Sequence, residues 1–482
     1  LSRYLSSIAL LALAACAPAP GHLSTPTPPT ELAANRSFAD ADGEWPGDRW
    51  WQAYGDEQLD SLIEEARTAS PDIAMATARL RQANARARQA GAALLPGVSA
   101  NGSAGVAKQS YNNGIPRDFV PKGWNDTGLL SVGADFDPDL WGRNRAALAA
   151  ATSEAEASAV DAEQAMMMLS TEIAAAYADL ARLHAERDIA ARAVEIREAT
   201  LDLIHQRVEN GLDNRGTEQL AQSRAAGARA DLAASEEAIG LTRNRIAALV
   251  GRGPDRGLDI EPPQIADLRP RGVPERLALD LIGRRPDIVS ARLRAEAATS
   301  RIRGARAAFY PNISITALFG VQSLGLDQLL KSGSTMGSAG PAFSLPLFNR
   351  GQLVGDLRSA EAQSDIAVAS YDETLIEALH QVADAATSIK ALETRRAEAR
   401  DAVDAAESAY SIAQQRYKGG LATYIDVLSA EDTVLARRRI AAELEARAFT
   451  LDVALIRALG GGFSDPSLSS RADRAAQGNR NG

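Results

Sequence analysis

The chain has little of what enzymes and disulfide-stapled domains are built from. One of its 482 residues is a cysteine, Cys16, so no disulfide framework can form within the chain. Its four histidines, His22, His184, His205 and His380, lack metal-ligand spacing, and His184 and His205 fall in helical patterns as packed or solvated side chains. There is no Gly-rich phosphate loop and no nucleophile–base spacing, which argues against an enzyme, a cofactor and a metal centre. The formal net charge of -10 leaves no basic stripe for phosphates, which argues against nucleic acid. Aromatics are only 5%, and alanine is abundant. Such a chain cannot fill a thick core and suits thin layers of closely approaching helices. Its length is also more than one ordinary globular core accommodates.

The start of the chain, residues 1–16, has a basic residue (Arg3), an apolar run from Ile8 to Ala15, and small residues before Cys16. That is the pattern of a secretory signal, too short to span a bilayer permanently. Leu13-Ala14-Ala15-Cys16 resembles a bacterial lipobox, with Cys16 as the lipidated residue; a plain signal peptide with an incidental cysteine is the alternative. Residues 17–37 are rich in Pro, Ser and Thr and are expected to form an extended tether that does not pack. Single-chain anchoring is marginal, so further contact with outer-membrane lipids is expected.

The folded part opens at Trp50-Trp51 and continues through an amphipathic run to Ala69. A first repeat spans 38–251, and its helical pattern begins at Pro71 and ends before Pro96-Gly97. Residues 98–106 then alternate apolar and small polar side chains, as do 128–136, with a Gly/Asn/Pro-rich loop between them. A period of two predicts strands with one apolar face, each long enough to cross a bilayer. No Pro or Gly interrupts 144–209, which predicts a helix of about 100 Å at 1.5 Å per residue. Ile189, Ile196 and Leu203 are seven apart, as are Val194, Leu201 and Val208, so this helix carries two heptad seams. The chain turns at Gly211, and 217–250 returns as a helix. Residues 252–285 read as a compact connecting region with a short helical patch at Glu275–Ile282.

The pattern then recurs. Pro286-Asp287-Ile288 repeats Pro71-Asp72-Ile73 at an offset of 215, with twelve identities over the twenty-six positions ending at Pro311 and Pro96. The second repeat, 286–462, has a short helix at 286–309, strands at 312–320 and 338–347, a long helix at 352–418 and a return helix at 424–459. Leu345-Pro346-Leu347-Phe348-Asn349-Arg350 stands where Leu140-Trp141-Gly142-Arg143 stood, and Val403, Tyr410 and Tyr417 are seven apart. Residues 463–482 are expected to be a disordered tail. In each half the short helix and the return helix together match the long one. Four strands with open edges cannot close a barrel, so a barrel shared between copies is expected.

In this order, duplicated and behind a lipobox, the motifs resemble the TolC-type outer-membrane efflux family, most closely its NodT-like lipoprotein branch. They are Trp50-Trp51 with Leu59, Asp139-Leu140-Trp141-Gly142-Arg143, Arg285-Pro286-Asp287-Ile288, Phe309-Tyr310-Pro311, Leu345-Pro346-Leu347-Phe348 and both hairpin tips, and the likeness covers nearly all of 38–462. It implies a mainly α fold with membrane β: a homotrimer sharing a 12-stranded β-barrel, continued by a 12-helix α-barrel of coiled-coil hairpins. It implies an outer-membrane channel reaching into the periplasm, the passive exit duct of a tripartite efflux system. Its partners would be a periplasmic adaptor (membrane fusion) protein and an inner-membrane resistance-nodulation-division pump. The alternatives are the outer component of an ABC-driven type I protein secretion system, and a periplasmic structural coiled coil, which the alternating strands oppose.

The resemblance also assigns residues at the tips. Asp426 matches an acid that rings the periplasmic aperture, and Ile425 an apolar constriction; the second acidic position is Ser429 here, a departure. Tyr417 matches a tyrosine that bonds an acid of the other hairpin, whose place holds Thr217 with Glu218 beside it as the expected substitute. Asn210-Gly211-Leu212 and Gly419-Gly420-Leu421 match the tips that meet the adaptor. Each has a plainer reading: Asp426 as an acid at a helix N-terminus, Tyr417 as a heptad core residue, the glycines as turn residues.

Overall fold

A computed structural model describes residues 24–28, 43–112, 114–264, 274, 277–346 and 348–465. Cys16, the signal pattern and most of the tail lie outside these residues. Thirteen named elements organise the described chain: α1 (Glu57–Ala69), α2 (Pro71–Ala92), β1 (Gly97–Ala107), β2 (Asn125–Phe136), α3 (Arg143–Glu209), α4 (Arg215–Val250), α5 (Asp255–Leu258), α6 (Leu277–Arg284), α7 (Pro286–Ala307), β3 (Asn312–Leu324), β4 (Thr335–Ser344), α8 (Arg350–Lys418) and α9 (Tyr424–Ala458). The chain divides into two compact units. One contains Arg79–Ser158 and Ala291–Tyr371; the other contains Ala159–Ser290 and the described residues of 27–78 and 372–482.

The first unit holds one antiparallel sheet in the order β1-β2-β3-β4. Its register places Val98, Ala134, Ala317 and Ala339 across from one another in one row, and Ala100, Val132, Phe319 and Gly337 in another. Both rows lie on one apolar face, which also carries Leu130, Ile315 and Phe343, all exposed. The opposite face carries Ser99, Asn101, Ser131, Thr316 and Gln322. This alternation is what the period of two predicts. The second strand pair differs from its expected bounds: β3 runs four residues further, to Leu324, and β4 lies at Thr335–Ser344. Pro346, which has no N–H to give a ladder, follows the end of β4, and Thr335 extends its start through pairing with Val321.

No helix among the described residues is long and apolar enough to cross a membrane. The sheet carries an exposed apolar face.

Two aromatic-and-cap devices join strands to helices in this unit. Asp139, at φ 53, caps α3: its carboxylate accepts from the N–H groups of Asn144 (2.9 Å) and Arg145 (2.8 Å) and pairs with the Arg145 guanidinium. Trp141 stacks on Tyr310 at 4.7 Å and donates its indole N–H to Pro311 O at 2.7 Å. These contacts tie the β2–α3 link to the α7–β3 link.

The second unit is organised by a core of Trp50, Trp51, Tyr54, Leu59, Leu62, Ile63, Ile173, Tyr177, Ile246, Phe449 and Val453. Two buried phenols fix it: Tyr54 donates to Asp452 (2.7 Å) and Tyr177 to Asp56 (2.8 Å), while Asp56 caps α1. Burial and the carboxylate beside it push the Tyr177 hydroxyl far above its ordinary value. The Arg285-Pro286-Asp287 motif also acquires a role. The buried Arg285 guanidinium donates to Ala458 O at the end of α9 (2.9 Å), to Gln381 (2.9 Å) and to Asp287 (2.5 Å). One side chain thus holds the start of α7 against α8 and α9.

Part of the Pro-rich segment does not behave as an unpacked tether. Ser24 N–H donates to Asp365 (2.9 Å), and Thr27 donates to Asp372 through both its N–H (3.0 Å) and its hydroxyl (2.8 Å). Carboxylates on α8 satisfy the backbone donors that an extended chain leaves open. In the connecting region the helical patch is α6, Leu277–Arg284, shifted two residues from its expected span.

Arg285→Ala leaves Asp287 and the α9 terminus without their buried cation. The expected loss is about 3 kcal/mol, the order seen when a buried pair is broken, read as a lower denaturant midpoint at unchanged m.

Candidate functional site

The two hairpin tips in the second unit are built alike. At the first, Gly211 (φ 69) ends α3, its N–H donates to Val208 O, and Leu212 N–H reaches Arg207 O at 2.8 Å. At the second, Gly420 (φ 72) donates to Tyr417 O, and Leu421 N–H reaches Arg416 O at 2.8 Å. Both use the left-handed glycine to satisfy the last helical carbonyls. Leu212 is 65% exposed and Leu421 74%, so each turn presents an uncovered leucine at its apex. The return helices are then capped: Asn214 Oδ1 accepts from Thr217 N–H (3.1 Å), and the Asp426 carboxylate accepts from the Thr423 N–H (2.7 Å) and hydroxyl (2.8 Å). The plainer reading of Asp426, an acid at a helix N-terminus, is therefore realised. Those hydrogen bonds, the hydroxyl's first and the backbone's second, hold its carboxyl below the usual range, so it stays ionised.

The two hairpins meet at Tyr417. Its ring is buried with Ile204, Ala221, Tyr424, Val427 and Leu428, so it is a core residue as its heptad spacing suggests. Its hydroxyl donates to Asp213 Oδ2 at 3.3 Å, and Arg207 lies over its ring at 4.9 Å, with Nε 3.6 Å from the same carboxylate. The acid opposite Tyr417 is therefore Asp213, from the turn of the first hairpin, and not Glu218. Glu218 faces the other way and bonds His205 Nδ1 at 2.6 Å. Thr217 stands beside this contact, with its N–H bonded to the Asn214 cap. Burial pushes Asp213 up, but the hydrogen bonds from Asn214 and Tyr417, the neighbouring Thr217 and the Arg207 charge leave its carboxyl below the ordinary value.

A second polar tie stands further from the tips, and sequence reading missed it. Arg197 on α3 reaches Glu431 (2.9 Å) and Asp432 (3.1 Å) on α9, and Arg224 on α4 reaches Asp432 (2.8 Å). Glu431 is 2% exposed, and burial pushes its carboxyl up despite Arg197. One signal was available: Glu431 lies seven residues beyond Tyr424, on the seam that should be apolar. Beside this tie, Leu220, Arg224, Ile425, Ser429, Asp432 and Ile440 line a groove of about 720 Å³ between α4 and α9. Ile425 is 68% exposed on it, and Ser429 is exposed as well. The described residues contain no group of three or more His, Cys, Asp or Glu that could hold a metal ion.

Comparison with known proteins returns one family. Residues 62–252 and 277–461 match the family described as outer membrane efflux protein. The chain is 36% identical over 331 residues to the fusaric acid resistance protein FusA of Burkholderia cepacia; the match takes in 67% of this chain and 62% of that protein's length. It is 30% identical over 479 residues to the pyoverdine export outer membrane protein OpmQ of Pseudomonas putida, covering 97% of this chain and 99% of that one. Among solved structures, the outer membrane protein VceC of Vibrio cholerae matches with a TM-score of 0.82 at 46% identity, over 87% of this chain and all (100%) of that one.

Removing the Tyr417 hydroxyl should loosen the knot selectively. Tyr417→Phe is expected to lower local stability by about 0.5–1.5 kcal/mol, seen as faster hydrogen exchange across 210–217 with the Arg285 region unchanged. Because Asp213 titrates below its unfolded value, its contribution is present above that value and is lost as pH falls through the folded one. Exchange across 210–217 should therefore speed up below the ordinary carboxylate range.

Proposed function

The chain belongs to the outer membrane efflux protein family, and from that premise we propose that it is the passive exit duct of a tripartite efflux system. Three copies share one 12-stranded β-barrel, and their hairpins continue it as a 12-helix α-barrel into the periplasm. The observation that carries this reading is the sheet: its four strands have one apolar face and two edges, β1 and β4, that are unpaired among the described residues. In hydrocarbon such edges require partners, and copies of the same chain supply them. No energy source is needed in the chain itself. A periplasmic adaptor engages the tips through Asn210, Gly211, Leu212, Gly419, Gly420 and Leu421, where two exposed leucines offer apolar contact. An inner-membrane pump of the resistance-nodulation-division class supplies the solute. The functions named for two relatives, fusaric acid resistance and pyoverdine export, support small organic molecules as cargo.

The periplasmic gate in this reading consists of Asp426, Ile425 and the Tyr417 knot. Repeated around a three-fold axis, the ionised Asp426 makes a concentrated negative ring that favours cations, and the exposed Ile425 beside it an apolar constriction. Tyr417 and Asp213, with Thr217 beside them, hold the hairpins together in the closed state. Glu218, engaged with His205, braces the first hairpin instead. Cys16 carries the lipid that tethers each copy to the membrane.

Single-channel recording in planar bilayers tests this reading. The wild type should form cation-preferring channels, Asp426→Asn should reduce the preference, and Tyr417→Phe should raise the open probability. Protein that inserts but never conducts would contradict the duct. Conduction with unchanged selectivity in Asp426→Asn would contradict the ring.

A further inference from the structure

Lysine is scarce in this chain and unevenly placed. Only five of its 52 basic residues are lysines: Lys108, Lys122, Lys331, Lys390 and Lys418. Three of the five stand in the two hairpin loops of the sheet, and the other two lie on α8. Both loops project from the same end of the sheet. β1 ends at Ala107 opposite Asn125, and β4 begins at Thr335 opposite Val321, whereas α2, α3, α7 and α8 adjoin the strands at the other end.

The two loops form one ordered rim. Asp126 joins them: its carbonyl accepts from Gly325 N–H (2.6 Å) and its carboxylate from Leu326 N–H (2.7 Å). Within the longer loop, Tyr111 Oη accepts from Gly123 N–H at 3.2 Å, and Val120 is buried. In the shorter one, Ser334 donates its hydroxyl to Gln328 O at 2.7 Å. What these contacts leave outside has two characters. Lys108, Arg117, Lys122 and Lys331 are all exposed. So are Phe119 (80%), Trp124 (72%) and Leu330 (84%). Against the four cations stand Asp118, Asp126 and Asp327, so the rim is net positive on a chain whose formal net charge is -10. Asp126 is engaged with Leu326, and the Lys331–Asp327 pair at 3.2 Å is exposed on both sides, so it holds Lys331 weakly.

The choice of lysine bears on the partner. Arginine supplies the ion pairs along the helices, as between Arg182 and Asp179, where its planar fork suits a carboxylate. Lysine is a compact, hydrated charge on an apolar stem. At a membrane boundary the stem lies along apolar surface while the ammonium reaches the headgroup plane. Phe119, Trp124 and Leu330 offer that apolar surface on the same rim. β1, at 11 residues, is long enough to cross a bilayer once, so the loops beyond it stand at the edge of the hydrocarbon.

We propose that this rim docks the phosphorylated headgroups of the membrane's outward leaflet. The ammonium groups of Lys108, Lys122 and Lys331, with the Arg117 guanidinium, meet the phosphates, and Phe119, Trp124 and Leu330 sit among the acyl chains. The proposal rests on the orientation that the duct reading gives the sheet, and adds a lipid partner at the end away from the hairpin tips.

The protein's own lysines report the contact. Purified full-length protein in neutral detergent is treated briefly with a water-soluble succinimidyl ester, and modification of each lysine is read by peptide mass spectrometry. The probe is a diphosphorylated, hexa-acylated glucosamine disaccharide. It should slow modification of Lys108, Lys122 and Lys331 several-fold and leave Lys390 and Lys418 on α8 unchanged. The same lipid stripped of phosphate, and inorganic phosphate alone, should protect none of them. Lys108→Gln with Lys122→Gln should raise the lipid concentration that protects Lys331 by about twenty-five-fold, at about fivefold per charge near an anionic surface. Lys108→Arg with Lys122→Arg should keep the protection. No protection of the three, equal protection of Lys390 and Lys418, or equal protection by the stripped lipid or by inorganic phosphate would overturn the proposal. Protein that conducts in planar bilayers without this protection would overturn the rim and leave the duct intact. Protection in protein that never conducts would support the rim and overturn the duct.

Discussion

A strand facing hydrocarbon has no water for its backbone, so every N–H and C=O must find a partner within the sheet. This chain supplies four strands, an apolar face, and edges at β1 and β4 that nothing in the chain pairs among the described residues. Much else follows from that constraint. The duplication gives two similar edges from one chain, and the unburied α2 precedes the open β1 edge.

In the proposed duct the hairpin ends have to hold shut without locking. The two ties between the hairpins answer to pH in opposite senses. Asp213 is held below its ordinary value, so the Tyr417 knot weakens as acid is added. Glu431 is held above its ordinary value, so its burial is unfavourable near neutrality and eases as pH falls into its raised range. Arg197 keeps its pair with Asp432 when Glu431 protonates.

The long elements were legible because their signals are long. Long helical runs gave α3 and α8 to within two residues, and alternation gave β1 and β2 to within three but missed the end of β3 and the bounds of β4. Partner choices across elements were not legible. Heptads place Tyr417 in a seam, but which acid faces it depends on how a five-residue turn folds, and the Asn214 cap turns Asp213 inward. Arg285 was recognisable as a motif, yet its contact with Ala458 O joins residues 173 positions apart, which local pattern cannot show. The Pro-rich segment looked unpackable because composition does not register carboxylates waiting on a distant helix, as Asp372 does for Thr27.

The central claim is that one chain makes a fixed fraction of a closed pore. Native mass spectrometry of the protein released from detergent micelles measures that fraction directly. The account predicts one dominant species of three chains of 50.9 kDa or less each, stable until the β-sheet unfolds. A dominant monomer, in protein whose strands remain folded by circular dichroism, would contradict it.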